Sequence, residues 1–484
     1  MDIDHDACYR AICARDPRFD GRFFTGVKTT GIYCRPICPA RTPRRENVVF
    51  FAAAAAAQEA GFRPCLRCRP ETAPDLGAWR GTSNTVSRAL ALIELGALDE
   101  EPVERLAERL GVGARHLRRL FAQNLGASPV AVAQTRRVLL AKQLIHETAL
   151  PMTEVALASG FGSLRRFNET FVALYNRPPM ALRRASGGDR PAAGETTLLL
   201  RYKPPYDWPA MLGYLRPRMV AGVECIENGV YRRTISLQGE QGVVSVRPSE
   251  GDALLARVRF PKLSALPNII ARLRRVFDLA ADPQAVALDL AKDATLAPLV
   301  AERPGLRLPG AWDGFEMAAR AILGRQVTIA GAARLAARLT ERFGDNLRCA
   351  DRILTQVFPA PVALVEADLS GLGLTRARAE SLKKLAAAVV ADPHIFSAAR
   401  SQDEVRARLR ALPGIGDWTA QYLAMRLLRE PDAFPATDIA LRRALADSFG
   451  ARPSAKKLLA RAENWRPWRA YAAQHLWTSS AAAR

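Results

Sequence analysis

The spacing of apolar and polar positions changes several times along the chain, and each change predicts a different kind of structure. Between residues 83 and 184 apolar side chains recur every three to four positions, which predicts helices throughout. From residue 196 to about 305, β-branched alternating runs such as LLLRYKPPYDW, YRRTISLQ, GVVSVRP and ALLARVRF predict the strands of a small α/β domain. After Gly310 the helical period returns and continues to the end.

Length and composition make this a multidomain chain. It has 484 residues, more than one hydrophobic core normally supports. Gly, Pro and Ser concentrate in the segment SGGDRPAAG at 186–194, which predicts a flexible linker. The expected fold class is therefore multidomain and mainly α, with an α/β part.

The charge of the chain predicts a polyanionic partner. Lys and Arg number 70 against 48 Asp and Glu, a net charge of +22, and the basic residues are spread along the sequence. Nucleic acid is the leading candidate, with a basic surface that only aids solubility as the alternative. The N-terminus lacks an apolar export segment and no run reaches the ~18–20 residues of a membrane span, so we expect a cytoplasmic protein of the bacterial cytosol and nucleoid, with no membrane partner.

Four cysteines have the spacing of a metal site. Cys34 and Cys38 are separated by three residues, Cys65 and Cys68 by two, which suits two knuckles that close on one tetrahedral Zn²⁺. Cytosolic disulfides or four buried thiols are the alternatives. The remaining cysteines lack such partners and are expected to be small core residues: Cys8, Cys13, Cys225 and Cys349. No organic cofactor is expected.

The residues around this quartet resemble a known family. CARDPRFDGRFFTGVKTTGIYCRPICPARTPRRENVVFF, followed by GFRPCLRCRPE, is similar to the N-terminal domain of the Ada methylation-response proteins. The resemblance implies that Cys34 takes a methyl group from a DNA phosphotriester while it remains a zinc ligand. Zinc holds a thiol as the nucleophilic thiolate, and its conversion to a neutral thioether should strengthen DNA binding and so activate transcription. Arg41, Arg44 and Arg45 follow the second ligand closely and are expected either to bind phosphates or to belong to a solvated loop.

Two repeated turns within the helical segment predict paired helix-turn-helix units. Val103, Leu106, Ala107 and Leu110 form an apolar stripe before the turn at 111–113. The next helix presents Arg115, Arg118 and Arg119 on its polar side, as a recognition helix in the major groove does. A packed helical hairpin with no DNA partner is the alternative.

The arrangement recurs at residues 155–171, where Gly160-Phe161-Gly162 precedes SLRRFNETF. The duplicated turn, with the closing YNRPPMALR, resembles the AraC-type DNA-binding domain. Arg165 and Arg166 are expected to reach base edges or only phosphates. The resemblance implies double-stranded DNA, including promoter sequences, and RNA polymerase as partners.

The last helical part contains the segment Leu412-Pro413-Gly414-Ile415-Gly416. Its glycines permit the positive φ of a tight hairpin whose amides grip a phosphate, although an ordinary helix-helix turn has the same residues. Downstream, FPATDIALRRAL places Asp438 at the head of a helix. The pair is similar to the helix-hairpin-helix DNA glycosylases, in which this aspartate stabilises the oxocarbenium-like sugar; simple N-capping is the alternative.

Further segments resemble the 3-methyladenine glycosylases of the AlkA type: LPGIGDWTAQYLAMR, AILGRQVTIAGAARL and WRPWRAYAAQHLWTS. The resemblance implies that Trp418, Tyr422 and Trp477 line the pocket of the flipped base, where their rings favour cationic purines, unless they are core residues. Trp418 stands where lyase-type relatives carry a Schiff-base lysine, which implies a monofunctional glycosylase. The intercalating leucine of AlkA falls at Gln326, beside Arg325, and a glutamine wedges less hydrophobically.

Together these resemblances predict an architecture with five parts: a small zinc domain at 1–78, an all-α double helix-turn-helix domain at 79–186, a linker at 187–195, a small α/β domain at 196–308 and an all-α helix-hairpin-helix glycosylase domain at 309–484. The predicted function is a bifunctional alkylation response: release of alkylated purines from DNA and methyl acceptance on Cys34 that activates transcription. A regulator whose glycosylase half only binds DNA and a glycosylase that its N-terminal half merely tethers are the alternatives.

Overall fold

The computed structural model describes residues 4–16, 19–73, 84–99, 101–183, 195–349, 351–396, 402–446 and 450–482. The chain divides into two compact units, Met1–Tyr202 with Ala253–Ala271, and Lys203–Asp252 with Arg272–Arg484. Most of the predicted linker at 187–195 lies outside the described residues, as does the predicted boundary at 78/79.

The first unit begins with a small mixed domain around the cysteines. Its sheet has the order β3-β1-β2-β4, in which β1 pairs antiparallel with β2 and β3, while β2 pairs parallel with β4. Two small aromatic clusters form the core, one around Phe23 and Phe50, the other around Phe24 and Tyr33. The elements are α1 (His5–Ala14), β1 (Phe24–Val27), β2 (Ile32–Cys34), β3 (Val48–Phe51), α2 (Ala54–Glu59) and β4 (Arg63–Pro64).

Six helices follow, as the sequence predicts. The stripe Val103, Leu106, Ala107 and Leu110 is buried, and Gly111 ends its helix at φ 72°, where a Cβ would be strained. Val155, Ala156 and Ala158 are buried before the second turn. The helices are α3 (Asn84–Glu94), α4 (Val103–Leu110), α5 (Ala114–Leu125), α6 (Pro129–Glu147), α7 (Met152–Ala158) and α8 (Leu164–Tyr175).

The zinc domain packs firmly on α6. Ala55 and Ala56 of α2 contact Ala127, and the Glu59 carboxylate accepts hydrogen bonds from the Ser128 N–H and hydroxyl at 3.2 and 3.1 Å. Lys142 of α6 is fully buried, and its ammonium donates to the Cys65 carbonyl at 2.8 Å and to the Glu71 carboxylate at 2.6 Å. These contacts join the cysteine domain to α6.

Strands occur where alternation predicts them, with one addition. In the first unit β5 (Glu195–Arg201) pairs antiparallel with β9 (Ala253–Arg259). In the second unit β6 (Glu224–Glu227), β7 (Val230–Leu237) and β8 (Glu240–Ser249) form an antiparallel ladder. Strand β6 has no counterpart among the predicted runs, because a strand of four residues is too short to show a recognisable alternation of apolar and polar positions. One of the boundaries between the two units, at residues 271/272, falls within α10 (Leu266–Val276).

The second unit is otherwise helical, and after Gly310 the described residues form helices to the end apart from loops and one isolated bridge between Asn346 and Gln356. Its core is rich in Leu and Ala and surrounds α13 and α16. The helices are α9 (Trp208–Leu215), α11 (Pro283–Leu290), α12 (Leu296–Glu302), α13 (Gly314–Leu323), α14 (Ile329–Phe343), α15 (Pro361–Leu364), α16 (Arg376–Ala391), α17 (Gln402–Arg410), α18 (Asp417–Arg426), α19 (Ile439–Ala444), α20 (Ala455–Ala462) and α21 (Arg469–Ala482).

Two sequence expectations can be judged here. Among the described residues, none of the helices is both long enough and apolar enough to cross a bilayer. Cys8 and Cys225 are buried as predicted, but the prediction is wrong for Cys13, which is exposed on α1, and Cys349 is only half-buried.

A buried histidine should make the second unit sensitive to acid. His475 is 6 % exposed, and its burial lowers its pKa to about 4. A hydrogen bond with the Leu299 backbone acts in the opposite direction but is outweighed. The pKa of histidine in an unfolded chain is about 6.5. The folded pKa is depressed, so the stability from neutral His475 is present above about pH 6.5 and lost as the pH falls toward 4.

We therefore expect the free energy of unfolding to fall by roughly 3 kcal/mol more in the wild type than in His475→Gln between pH 7 and pH 4. Urea denaturation followed by tryptophan fluorescence measures this, because six of the seven tryptophans lie in the second unit. Parallel pH profiles for the two proteins would contradict the assignment.

Candidate functional sites

The four predicted zinc ligands come together. Cys34 ends β2, Cys38 follows in the next turn, and Cys65 and Cys68 follow β4, so the parallel β2–β4 pairing brings both knuckles to one end of the sheet. Their Sγ atoms all lie within 4.8 Å of one another. Tetrahedral zinc with bonds of about 2.3 Å needs sulfurs about 3.8 Å apart, so the cluster fits this ion.

Backbone groups distinguish the four sulfurs. The Arg35 N–H donates to Cys68 Sγ and the Arg67 N–H to Cys65 Sγ, both at 3.3 Å. The Arg35 guanidinium pairs with the buried carboxylate of Asp20 and donates to the Cys68 carbonyl at 3.1 Å, which fixes the first knuckle against the second. Cys65 and Cys68 are buried, whereas Cys34 is half-buried.

A cavity of about 350 Å³ opens beside Cys34. Arginines on its wall come from several segments of the first unit: Arg35, Arg41, Arg63, Arg67 and Arg177. The predicted phosphate ligands Arg44 and Arg45 are exposed and do not line it, and Arg45 pairs with Asp6 instead. Arg41, which was predicted as a phosphate ligand, does line it. Arg63 and Arg67 lie in the segment GFRPCLRCRPE and Arg177 in YNRPPMALR, but the sequence analysis gave these three arginines no role.

Both predicted recognition helices carry their arginines on exposed surface. On α5, Arg115 is exposed, Arg118 pairs with Glu104 at 2.7 Å, and the Arg119 guanidinium lies 2.9 Å from His116 Nδ1. On α8, Arg165 pairs with Glu169 at 2.7 Å and Arg166 is exposed. The buried sides of these helices hold the two helix-turn-helix cores, so the arginines are available to a partner.

In the second unit, Asp438 accepts three hydrogen bonds. As the N-cap of α19 it accepts the Leu441 N–H on Oδ1 at 2.9 Å. The same oxygen accepts the indole N–H of Trp477 at 3.0 Å, and Oδ2 accepts the indole N–H of Trp418 at 2.8 Å. Both carboxylate oxygens are thus held in one orientation by α18, α19 and α21.

The predicted pocket aromatics form one cluster, and none is fully buried. Trp418 stacks on Tyr422 with ring centroids 5.1 Å apart and planes 9° apart, and Trp477 meets Tyr422 edge-on at 6.4 Å. Sequence analysis missed Tyr214, whose hydroxyl lies 2.7 Å from that of Tyr422 across 208 residues.

A buried cation lies within this aromatic cluster. The Arg426 guanidinium is 4.5, 5.3 and 5.4 Å from the ring centroids of Tyr214, Tyr422 and Trp477. Burial opposes ionisation of Tyr422, but the charges of Arg426 and Arg218 and the bond to Tyr214 outweigh it and lower the Tyr422 pKa. Burial raises the pKa of Tyr214 to about 12. The Tyr214 phenol is therefore a neutral hydrogen-bonding group near neutral pH.

The predicted hairpin is present between α17 and α18, with one correction. Gly414 has φ 86°, and a Cβ there would lie 2.4 Å from Ser381 Oγ. Gly416 was expected to share the positive φ, but its φ is −83°, because it is the N-cap of α18. Arg325 lies close to Gly414, its carbonyl accepts from Arg378, and the exposed Gln326 has a left-handed backbone with φ 55°.

Family models match along most of the chain. Residues 7–71 match the metal binding domain of Ada, and residues 106–185 a helix-turn-helix domain. Residues 197–313 match the AlkA N-terminal domain, and residues 319–470 the HhH-GPD superfamily base excision DNA repair proteins. The Ada match and the sulfur geometry agree on a single zinc ion at the quartet.

A relative in Mycobacterium tuberculosis strain CDC 1551 / Oshkosh, described as a probable bifunctional transcriptional activator/DNA repair enzyme AlkA, is 40 % identical over 99 % of this chain and 97 % of its own. The chain belongs to this family. DNA-3-methyladenine glycosylase 2 of Escherichia coli K12 is 35 % identical over 57 % of this chain and 95 % of its own. The 3-methyladenine DNA-glycosylase structure from Archaeoglobus fulgidus shares the fold of 58 % of this chain and 98 % of its own, with a TM-score of 0.53 and 24 % identity.

The quartet predicts a measurable metal content. We expect one zinc per purified chain, and well under one for Cys68→Ser, because three thiolates and a hydroxyl bind zinc far more weakly than four thiolates. Inductively coupled plasma mass spectrometry of the two proteins measures this. Cys13→Ser removes an exposed thiol outside the quartet and should retain a full ion. Full zinc retention by Cys68→Ser would contradict the ligand set.

Proposed function

We propose that the chain is a bifunctional DNA alkylation response protein. Its second unit hydrolyses the N-glycosidic bond of alkylated purines of the 3-methyladenine type, and its first unit accepts methyl groups on Cys34 and activates transcription. The observation that carries the proposal is the Asp438 carboxylate, fixed by two indole N–H groups and a helix N-terminus beside an aromatic cluster. We propose the domain division 1–78, 79–186, 196–308 and 309–484, with a linker at 187–195.

Asp438 supplies the charge that the glycosylase reaction needs. As the bond from sugar to base breaks, positive charge develops on the sugar, and a fixed carboxylate stabilises it without reorganisation. The donors from Trp418, Trp477 and Leu441 fix the direction of the carboxylate. Trp418 carries no amine that could form a Schiff base, so the water that adds to the sugar leads to simple hydrolysis by a monofunctional enzyme.

The aromatic cluster suits a flipped purine that carries positive charge. The exposed parts of Trp418, Tyr422 and Trp477 offer π-faces for stacking and for cation–π attraction. Arg426 already contacts two of these rings from the buried side and weakens their attraction for a second cation. Stacking should therefore contribute to base selection along with charge.

The same unit offers the groups that hold DNA. The amides at Gly414 and Gly416 precede α18, where the helix dipole favours a phosphate. Arg325 lies beside this hairpin, and Gln326 projects from a left-handed turn at the start of the α14 segment. We assign Gln326 to the gap that a flipped nucleotide leaves and Arg325 to a backbone phosphate.

The glycosylase assignment is tested with Asp438→Asn, which keeps the N-cap but removes the charge. Release of free 3-methyladenine from alkylated DNA, followed by chromatography, should fall at least about 100-fold. Asp313→Asn is the matched control, because Asp313 caps α13 through the Phe315 and Glu316 N–H groups and lies outside the proposed site. If Asp438→Asn released 3-methyladenine at the rate of Asp313→Asn, the result would favour the alternative in which the second unit only binds DNA.

Cys34 is the sulfur best placed to accept a methyl group. Backbone N–H groups donate to Cys38, Cys65 and Cys68 and withdraw charge from them. Cys34 is half-buried, and with Cys38 and Cys65 it borders the open cavity. A zinc ion at the quartet keeps these sulfurs as thiolates near neutral pH.

The transfer is a direct displacement at carbon. A bond forms between Cys34 Sγ and the methyl carbon, the bond from that carbon to the phosphotriester oxygen breaks, and its electron pair stays on the oxygen as an ordinary phosphodiester. The thioether carries one negative charge less than the thiolate, so repulsion of DNA phosphates decreases. Arg44 and Arg45 are proposed as phosphate contacts at the rim of this surface.

Stronger DNA binding would act through the two helix-turn-helix units. We assign Arg115, Arg118 and Arg119 on α5, and Arg165 and Arg166 on α8, to successive major-groove segments of a promoter. RNA polymerase is the proposed partner of the protein once it is bound there.

Mass spectrometry tests the acceptor role. The protein is incubated with a duplex that carries one methylphosphotriester and is then mapped by its peptides. A single methyl group, which adds about 14 Da, should be found on Cys34. Cys13 is the internal control, because its thiol is exposed but has no zinc to hold it as a thiolate. A methyl group on Cys13 or Cys38 in place of Cys34 would refute the assignment.

A further inference from the structure

One arginine of the acceptor cavity comes from the second helix-turn-helix unit. Arg177 follows α8, directly after Asn176, whose left-handed backbone with φ 53° ends the helix. Arg177 comes 143 positions after Cys34 in the sequence, yet it lines the cavity that Cys34 borders. Neither the zinc motif nor the recognition helices include it.

The chain on both sides of Arg177 is anchored. Tyr175 is 7 % exposed and stacks on Phe171 with centroids 5.8 Å apart. Burial, and then the charge of the Glu71 carboxylate, raise the pKa of Tyr175. After Arg177 come Pro178 and a short 3₁₀ helix, Pro179–Leu182, in which Pro179 and Leu182 are buried. The backbone at Arg177 is therefore held between two buried anchors.

The charges around the cavity suit a phosphate group. Arg41, Arg63 and Arg67 of the zinc domain share its wall with Arg177, and among the described lining residues no Asp or Glu occurs. Arg177 itself is exposed, so its guanidinium is accessible from solvent. A guanidinium offers paired donors to phosphate oxygens and keeps its charge at any physiological pH.

We propose that Arg177 binds the backbone phosphate at the acceptor cavity, so that the second helix-turn-helix unit helps to position the methylated phosphotriester at Cys34. The inference rests on the proposed acceptor role of Cys34. A neutral triester becomes an anionic diester as its methyl group leaves, so a guanidinium at this oxygen binds the transition state more strongly than the substrate. Arg177 would then be both a DNA contact and a positioning residue for the transfer.

The test compares Arg177→Gln with Arg177→Lys and with Arg10→Gln. Arg10 is exposed on α1 and does not line the cavity, so its substitution removes the same charge elsewhere on the domain. One measurement is the rate of methyl transfer to Cys34 from a single-phosphotriester duplex, by quenched mass spectrometry. The other is the salt dependence of DNA affinity for each protein in its unmethylated form, by fluorescence anisotropy.

For Arg177→Gln we expect transfer roughly 10-fold slower and a slope of log K against log salt that is smaller by about 0.9, the value for one lost phosphate contact. Arg177→Lys should recover the slope and part of the rate, and zinc content should not change. If the wild type reacts at Cys34 but Arg177→Gln matches Arg10→Gln in rate and slope, the inference is overturned. A changed slope with an unchanged rate also overturns the positioning role, whereas a wild type that does not react refutes the acceptor role itself.

Discussion

The buried ammonium of Lys142 joins the cysteine site to the helices that follow it. It has no exposed surface, and it bonds at once to the Cys65 carbonyl within the second knuckle and to Glu71 just beyond that knuckle. Burial lowers the pKa of Lys142, and the Glu71 carboxylate only partly offsets this. Loss of one partner of such a pair costs about 3–5 kcal/mol, because the other charge stays buried and alone. The arrangement therefore permits only one docking of the zinc domain on α6.

Zinc and this docking support each other. The zinc domain has only two small aromatic clusters as its core, too little for a domain of this size to be stable without metal or neighbours. The knuckle that holds Cys65 and Cys68 depends on zinc, and the same knuckle presents the carbonyl that Lys142 binds. Because α6 lies between the two helix-turn-helix units in sequence and contacts α3, α5 and α7, a change at the cysteines acts on a rigid body that includes DNA-binding helices.

Sequence analysis succeeded where the information is local. The buried stripes of α4 and α7 follow from a 3.6-residue period, and the quartet follows from ligand spacing that zinc geometry fixes. It failed where a contact depends on tertiary folding. Tyr214 belongs to no motif, Arg426 and Arg177 lie in family-like segments that give them no role, and the positions of all three depend on segments that approach only after the chain has folded. Gly416 was misjudged for another reason: a helix N-cap and a left-handed turn both accept glycine, and only the backbone distinguishes them.

The N-cap role of Asp438 and its proposed chemical role are compatible. Capping of α19 uses one lone pair of Oδ1, and the two indole N–H groups of Trp477 and Trp418 then fix the remaining rotation of the carboxylate. A capping residue alone would need only the first bond. Two tryptophans, from α18 and α21, both donate to the same carboxylate and orient it more strictly than a helix end requires. This additional restraint suits pre-organised electrostatic stabilisation of a cationic sugar. It distinguishes Asp438 from N-caps such as Asp207 and Asp313, whose carboxylates accept backbone N–H groups at the helix end.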